Sequence, residues 1–308
     1  MMVATRTEQV HRHAAGLDVQ SPETVLRILC EAQVEAASVV ASATGSIARA
    51  AARAAQSLAG GGRLVYAAAG SSGLMAMADA LELPGTFGIA RDRIAILLAE
   101  GAAELLNFPA GPEDDEAQAA RDVAGAGIGK GDCLIALSAS GTTPYAVAAL
   151  KAAKTAGATT IGIANNEGAP LLVLADIAIL LPTPPEVIAG STRMGAATAQ
   201  KIALNMMSTL MAVHLGHVHD GHMVNLFAGN KKLKSRAARI VAAISGDSEE
   251  DAAHHLEASG GSVKAAVLLA AGAADIDDAT RLLEGANQNL RKALAKLDGS
   301  VRARRLGT

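Results

Sequence analysis

Ser138-Ala139-Ser140-Gly141-Thr142-Thr143-Pro144 follows an apolar run, Cys133-Leu134-Ile135-Ala136-Leu137, and how this junction is read decides the fold. The apolar run has the length and composition of a buried strand. The segment after it sets four hydroxyls around one glycine, and Pro144 suits the first turn of a helix, where a missing N–H is not needed. Such a loop offers backbone N–H groups and hydroxyls to phosphate oxygens. The positive end of the following helix dipole points at the same place, so a phosphate monoester can be held there without a basic side chain. The same residue types also suit an ordinary turn followed by an N-cap.

A second junction has the same form. Arg63-Leu64-Val65-Tyr66-Ala67-Ala68 reads as another strand, followed by Gly70-Ser71-Ser72-Gly73 and then the helical pattern Leu74-Met75-Ala76-Met77-Ala78. In a parallel sheet both junctions lie at the carboxyl ends of strands, where open α/β folds bind ligands, and one can hold phosphate while the other holds the sugar. Neither is a nucleotide fingerprint, because G-x-G-x-x-G and G-x-x-x-x-G-K-[ST] are both missing.

Working outward, strands are predicted near 63–68, 93–98, 132–137, 159–163 and 176–181, and helices near 73–81, 113–124, 143–156 and 194–216. This alternation predicts an α/β fold, a doubly wound parallel sheet flanked by helices. Ser21-Pro22-Glu23-Thr24 opens a long Ala-rich helix that runs to about Leu58 and stops at Gly60-Gly61-Gly62. After about Asn230 only short helices are expected, at Lys231–Val241, Ser248–Ala258, Ser262–Leu269, Asp275–Leu283 and Gln288–Leu297. The predicted organisation is an N-terminal arm (1–20), an α/β domain (21–230) and a small all-helical C-terminal subdomain (231–308).

Composition excludes several classes. The chain has 308 residues, half of them hydrophobic, with a net charge of −3 and 2% aromatic residues. A large core is therefore affordable in one big domain or two smaller ones. Neither an electrostatic footprint nor a base-stacking platform for nucleic acid is present, and Arg302, Arg304 and Arg305 read as a solvated tail. Cys30 and Cys133 lack C-x-x-C spacing and read as buried, reduced thiols. No apolar run approaches the roughly 20 residues that span a bilayer, and residues 1–16 lack the apolar stretch of a secretory signal. The expectation is a soluble cytoplasmic protein without cofactor.

The two hydroxyl junctions are similar to those of the sugar isomerase (SIS) fold, which binds phosphosugars. More narrowly, Gly190-Ser191-Thr192-Arg193-Met194, Thr198-Ala199-Gln200-Lys201, Leu204-Asn205-Met206 and Ser208-Thr209 resemble the signature of N-acetylmuramic acid 6-phosphate etherases. Thr7-Glu8 with Leu17-Asp18, Leu81-Glu82-Leu83-Pro84 with Thr86-Phe87-Gly88, Gly111-Pro112-Glu113-Asp114-Asp115, and Met223-Val224-Asn225 with Asn230-Lys231-Lys232-Leu233 follow in the family's order and spacing.

The resemblance implies a lyase that removes D-lactate from carbon 3 of its phosphosugar and adds water, giving N-acetylglucosamine 6-phosphate. In the open-chain sugar the carbon 2 proton lies next to an aldehyde and is acidic enough for a carboxylate to remove. The lactate oxygen and incoming water need a second proton carrier. The family's two functional glutamates fall on Glu82, in a Pro-rich loop after the first phosphosugar-binding helix, and Glu113, at the start of the next helix. The resemblance gives Ser71, Ser72, Ser138, Ser140, Thr143, Ser191 and Arg193 the binding of substrate, and it implies a homodimer. Glu82 could instead merely turn outward from an apolar loop, and Glu113 could simply complement a helix dipole. Glu186 is an alternative base, suited to aldose–ketose isomerisation, and a non-catalytic phosphosugar sensor is a further alternative. Where Leu74, Gly195, Ala196-Ala197 and Asn225 stand, the family usually has arginine, lysine, Ala-Gly and aspartate, so two cations are missing.

His214, His217, His219 and His222 fall within nine positions, and His214 and His217 could share a helical face, but Gly216 and Gly221 interrupt the helix so that the other two point elsewhere, and no H-E-x-x-H or Cys partner occurs. They read as a helix-end cap or a dimer contact with help in ring opening, with no metal. His254-His255 reads as a solvated face, and Met206, Met207 and Met211 as core or interface.

Overall fold

The computed structural model describes residues 5–99, 101, 111–226 and 231–306. The chain divides into two compact units, one formed by residues 1–80 and 92–210, the other by 81–91 and 211–308.

The first unit is built on five strands, β1 (Leu64–Ala68), β2 (Ile94–Leu98), β3 (Cys133–Leu137), β4 (Thr159–Ala164) and β5 (Ile177–Leu180). All pairings are parallel, in the order β2-β1-β3-β4-β5. The predicted strands are therefore all present. Residues of β1 and β3 are buried throughout, which explains why these strands read as continuous apolar runs and not as alternating ones. Val65, Ala67, Leu134 and Ala136 pack under α4 (Glu116–Gly125), α5 (Pro144–Thr155) and α6 (Pro170–Leu174), in one cluster with Ala119, Val123, Tyr145, Ala149, Leu150 and Leu171. The intervening residues point to the opposite face. There, α2 (Thr44–Ala59) runs beside β1, β3 and β5 and buries the stripe Ile47, Ala50, Ala51, Ala54 and Ala55. That spacing is one face of a helix.

The N-terminal helix differs from expectation. It is two α-helices, α1 (Pro22–Ser38) and α2, joined by a 3-10 segment, Val39–Ala43. Val39-Val40 lowers local helix propensity, and no Gly or Pro marks the change. The Ser21 cap is as read, since its side chain accepts from the Thr24 N–H. Helix α1 buries only Ala36, and Cys30 on it is exposed while Cys133 is buried. The expectation of two buried thiols thus fails for Cys30, which sits among the uncovered positions of α1.

Between β1 and β3 the chain order reverses: β2 lies on one side of β1, and β3, β4 and β5 follow on the other. This is the topological switch point, outside whose strand ends open α/β sheets bind ligands. Ala68 pairs with Leu137 at those ends, so the two hydroxyl junctions leave neighbouring strands at the same edge.

In the second unit, α8 (Lys231–Ser245), α9 (Glu249–Ala258), α10 (Val263–Ala270), α11 (Ile276–Glu284) and α12 (Leu290–Leu306) follow one another. Ser248, Ser262 and Asp275 cap α9, α10 and α11 by accepting from the N–H three residues on, each cap contributing about 1 kcal/mol. Val241, Leu256, Val267, Leu268, Leu283 and Leu297 are among the residues of its core. A hairpin, β6 (Val218–His219) and β7 (His222–Met223), precedes these helices.

Candidate phosphosugar site

The segment after β3 folds onto its own hydroxyls. Ser138 is 2% exposed, and its Oγ accepts from the Gly141 N–H at 2.9 Å and lies 2.8 Å from Thr143 Oγ1 and 3.2 Å from Ser140 Oγ. Ser140 Oγ in turn accepts from the Thr142 N–H at 3.1 Å and from Thr142 Oγ1 at 2.9 Å. Gly141 has φ +72°, and a Cβ there would stand 2.4 Å from Ala169 Cβ and 2.9 Å from Ala164 Cβ, so only glycine fits. Thr143 is the N-cap of α5 and Pro144 its first residue, as read from the sequence. The Thr143 side chain makes no capping bond into the helix, because its hydroxyl is turned to Ser138.

After β1 the chain enters α3 (Gly70–Phe87) at once, so Ser71 and Ser72 belong to the helix's first turn and not to a preceding loop. Gly70 takes φ +53°, which permits the sharp entry. Ser72 is 8% exposed, and Gly73 packs so closely on β2 that a Cβ would lie 3.1 Å from Leu98 Cδ2. Further along α3, Asp79 is buried and receives Tyr66 Oη at 2.9 Å, Asn205 Nδ2 at 2.9 Å and Ser208 Oγ at 2.9 Å. Burial, together with the Asp79 carboxylate, pushes the Tyr66 phenol well above its usual range. Asp79 therefore locks α3 to β1 and α7 (Gly195–His214). It explains why the signature residues Asn205 and Ser208 recur at helical spacing.

Glu186 is 5% exposed, and its carboxylate accepts from the N–H groups of Gly195 at 2.9 Å and Ala196 at 2.8 Å, the first residues of α7. Gly195 is tightly enclosed, since a Cβ there would meet Ala36 Cβ and Glu186 Oε2 at 3.1 Å each. Ser191 is half-buried in the turn that leads into α7, where its carbonyl accepts from the Met194 N–H, and Arg193 is exposed.

The two glutamates occupy different settings from those read in the sequence. Glu82 lies inside α3, which continues through Pro84 to Phe87, and is exposed. Pro84 removes one helical N–H without ending the helix; Gly88, at φ +64°, follows its last residue. Glu113 is exposed in a 3-10 turn, Pro112–Asp114, that packs beside α5. Asp115, not Glu113, caps α4, accepting from the Gln118 N–H at 2.8 Å.

Two asparagines after β4 were missed by the sequence reading. The Asn165 N–H donates to Ala139 O at 3.0 Å, and its side chain joins Leu181 O, Thr183 Oγ1 and Gln200 Nε2. Asn166 Nδ2 donates to Ser140 O at 3.1 Å and to Thr7 Oγ1 at 3.0 Å. The pair Asn165-Asn166 directly after an apolar strand was the available signal, as polar residues at a switch point.

The histidines divide. Asp220 and Gly221 form the hairpin turn with φ +44° and +78°, the two-residue geometry that favours Asp-Gly, and they set His219 opposite His222. His217 is partly buried and donates to the Phe87 carbonyl. Burial, then the nearby Lys264 charge, pushes its imidazole down to about 4. Lys264 is 2% exposed and donates to Gln288 O at 2.9 Å, and burial lowers its ammonium to about 8. Asn225, where the resemblance calls for aspartate, donates its amide to Phe87 O at 3.1 Å. Of the methionines, Met207 and Met211 are buried and Met206 half-buried. Among the described residues no helix is long and apolar enough to cross a membrane.

Residues 31–165 match the SIS domain family. Over 291 residues the chain is 43% identical to an N-acetylmuramic acid 6-phosphate etherase of Deinococcus radiodurans, covering 94% of this chain and 95% of that one. A Streptomyces avermitilis protein of the same description is 38% identical over 289 residues, covering 94% and 93%. Among solved structures, a putative phosphosugar isomerase involved in capsule formation from Bacteroides fragilis has a TM-score of 0.48 at 20% identity, covering 65% of this chain and 97% of that one.

Proposed function

Because the chain belongs to the N-acetylmuramic acid 6-phosphate etherase family, we propose that it cleaves the D-lactyl ether of N-acetylmuramic acid 6-phosphate to N-acetylglucosamine 6-phosphate and D-lactate. The observation that carries this reading is the hydroxyl cradle of Ser138, Ser140 and Thr143 around Gly141, at the switch point and at the positive end of α5. Phosphate oxygens accept from these hydroxyls and from the start of the helix. Ser71 and Ser72, at the neighbouring strand end, serve the sugar. Ser191 and the exposed Arg193 supply donors and a cation for the substrate's negative charge.

The chemistry proceeds by elimination and then hydration. A carboxylate removes the carbon 2 proton of the open-chain sugar, the electron pair forms the carbon 2–carbon 3 double bond, and the carbon 3–oxygen bond breaks as the second carboxyl group protonates the departing lactate oxygen. That group, now a carboxylate, takes a proton from water as its oxygen adds at carbon 3, and the proton held by the first returns to carbon 2. Glu82 and Glu113 carry these protons between them. Glu82→Gln and Glu113→Gln, which keep shape and remove the titrating group, are expected to lower kcat by 100-fold or more, the usual scale of general acid–base catalysis, while phosphosugar binding persists. Loss of binding and fold together would contradict the assignment.

The protein acts as a cytoplasmic homodimer in this reading. Leu26 and Val34 on α1 are 66% and 62% exposed, with Val10 and Val19 of the arm at 71% and 79%, a spread of apolar surface that a second copy would cover. Light scattering at micromolar concentration tests it, and a monomer would contradict it.

A further inference from the structure

We propose that Thr7 of the N-terminal arm is a positioning residue for the phosphate cradle, acting through Asn166; this rests on the phosphosugar reading of the same site. Thr7 and Asn166 are 4% and 5% exposed although Thr7 sits in a short 3-10 turn at the chain's beginning. They bond reciprocally: the Thr7 N–H donates to Asn166 Oδ1 at 3.3 Å, and Asn166 Nδ2 donates to Thr7 Oγ1 at 3.0 Å. The same Nδ2 donates to Ser140 O at 3.1 Å. An amide rotated about its last torsion would lose Ser140, so Thr7, by holding both ends of the amide, fixes the carbonyl of the residue whose Oγ anchors the Thr142 N–H.

The arm is itself fastened at independent points. His11 is 5% exposed, Arg12 pairs with Glu35 of α1 at 3.0 Å, and Glu8 stands over the turn before α7, where a Cβ at Gly190 would lie 3.8 Å from Oε2. A merely solvated arm has no need of a buried threonine that closes an amide ring with a loop 159 residues away. Positioning at a distance is the usual task of such contacts, because small displacements of binding groups cost affinity for the reacting geometry.

Thr7→Val keeps shape and removes Oγ1, and Thr7→Ser restores it. In steady-state assays Thr7→Val is expected to raise KM roughly tenfold, the scale of one buried hydrogen bond, with kcat within about twofold, and Thr7→Ser is expected to return KM to near wild type. In the free protein, amide exchange at residues 138–143 is expected to quicken in Thr7→Val, while the helices of the 231–306 region stay as protected as in wild type. Unchanged KM and unchanged exchange would overturn the inference, as would a general loss of protection not rescued by Thr7→Ser. Should Thr7→Val fail to fold, Thr7→Ala is read in the same way. The exchange measurement needs no substrate, so a wild type without etherase activity would sink the functional reading and leave the tie between arm and loop to be decided by exchange.

Discussion

The carboxylate of Glu186 caps α7 by accepting from the backbone N–H groups of Gly195 and Ala196. A buried anion at a helix N-terminus is stabilised by the dipole and by two charge-assisted bonds. Each bond takes one lone pair on an oxygen that a proton-transfer base would turn to substrate. Glu186→Gln puts an amide nitrogen against one of the two donors, so it is expected to destabilise the protein by about 1–3 kcal/mol, read as a lower denaturant midpoint. If Glu186 were instead a catalytic base, the variant would keep its midpoint and lose turnover.

Gly141→Ala tests the cradle's backbone. Its Cβ would overlap Ala169 and Ala164 at a φ that L residues rarely adopt. Overpacking and left-handed strain together cost about 2–5 kcal/mol. Reduced stability and loss of phosphosugar binding are both expected, and a variant that bound as wild type would contradict the described loop.

Ser138→Ala probes the hydroxyl network with less disturbance. It leaves the Gly141 N–H without its acceptor and Thr143 Oγ1 without its partner. A rise in the Kd for N-acetylglucosamine 6-phosphate of about tenfold or more is expected from calorimetry, the scale of one or two lost buried bonds. An unchanged Kd would remove Ser138 from the site.

What could be read without coordinates follows from local physics. The strands were legible because a parallel sheet buries both faces and leaves apolar runs, as in Cys133–Leu137. The start of α5 was legible because Thr143-Pro144 is a local signal. The break at Val39–Ala43 was not, as nothing in Val-Val-Ala-Ser-Ala forbids a continuous helix. Pro84 misled the reading of Glu82, since a proline that removes one bond can sit within a helix supported by packing of Leu83 and Phe87, both buried. Asn166 and Thr7 were illegible as a pair because only the tertiary fold joins residues so far apart. The Asp220-Gly221 hairpin carries a local signal, since Asp-Gly suits a two-residue turn with both φ values positive.

The pH dependence of stability has a definite sign. His217 titrates near 4 when folded against an ordinary 6.5, so the unfolded chain binds the extra proton. Its contribution is full above about 6.5 and is lost as pH falls toward 4. Lys264 titrates near 8 against 10.5, and the unfolded chain again holds the proton more tightly, so stability rises as pH climbs from 8 toward 10.5. Urea midpoints across pH should show both limbs. His217→Phe should flatten the acidic limb and Lys264→Met the alkaline one; limbs unchanged in these variants would refute the assignments.

The etherase reaction itself is tested most directly by turning over N-acetylmuramic acid 6-phosphate in water labelled with oxygen-18 and following both products by mass spectrometry. Elimination and hydration break the bond between carbon 3 and oxygen. The label is therefore expected in N-acetylglucosamine 6-phosphate, at the carbon 3 hydroxyl, with D-lactate released unlabelled. Label in the lactate, or no lactate at all from folded protein that binds the phosphosugar, would contradict the account.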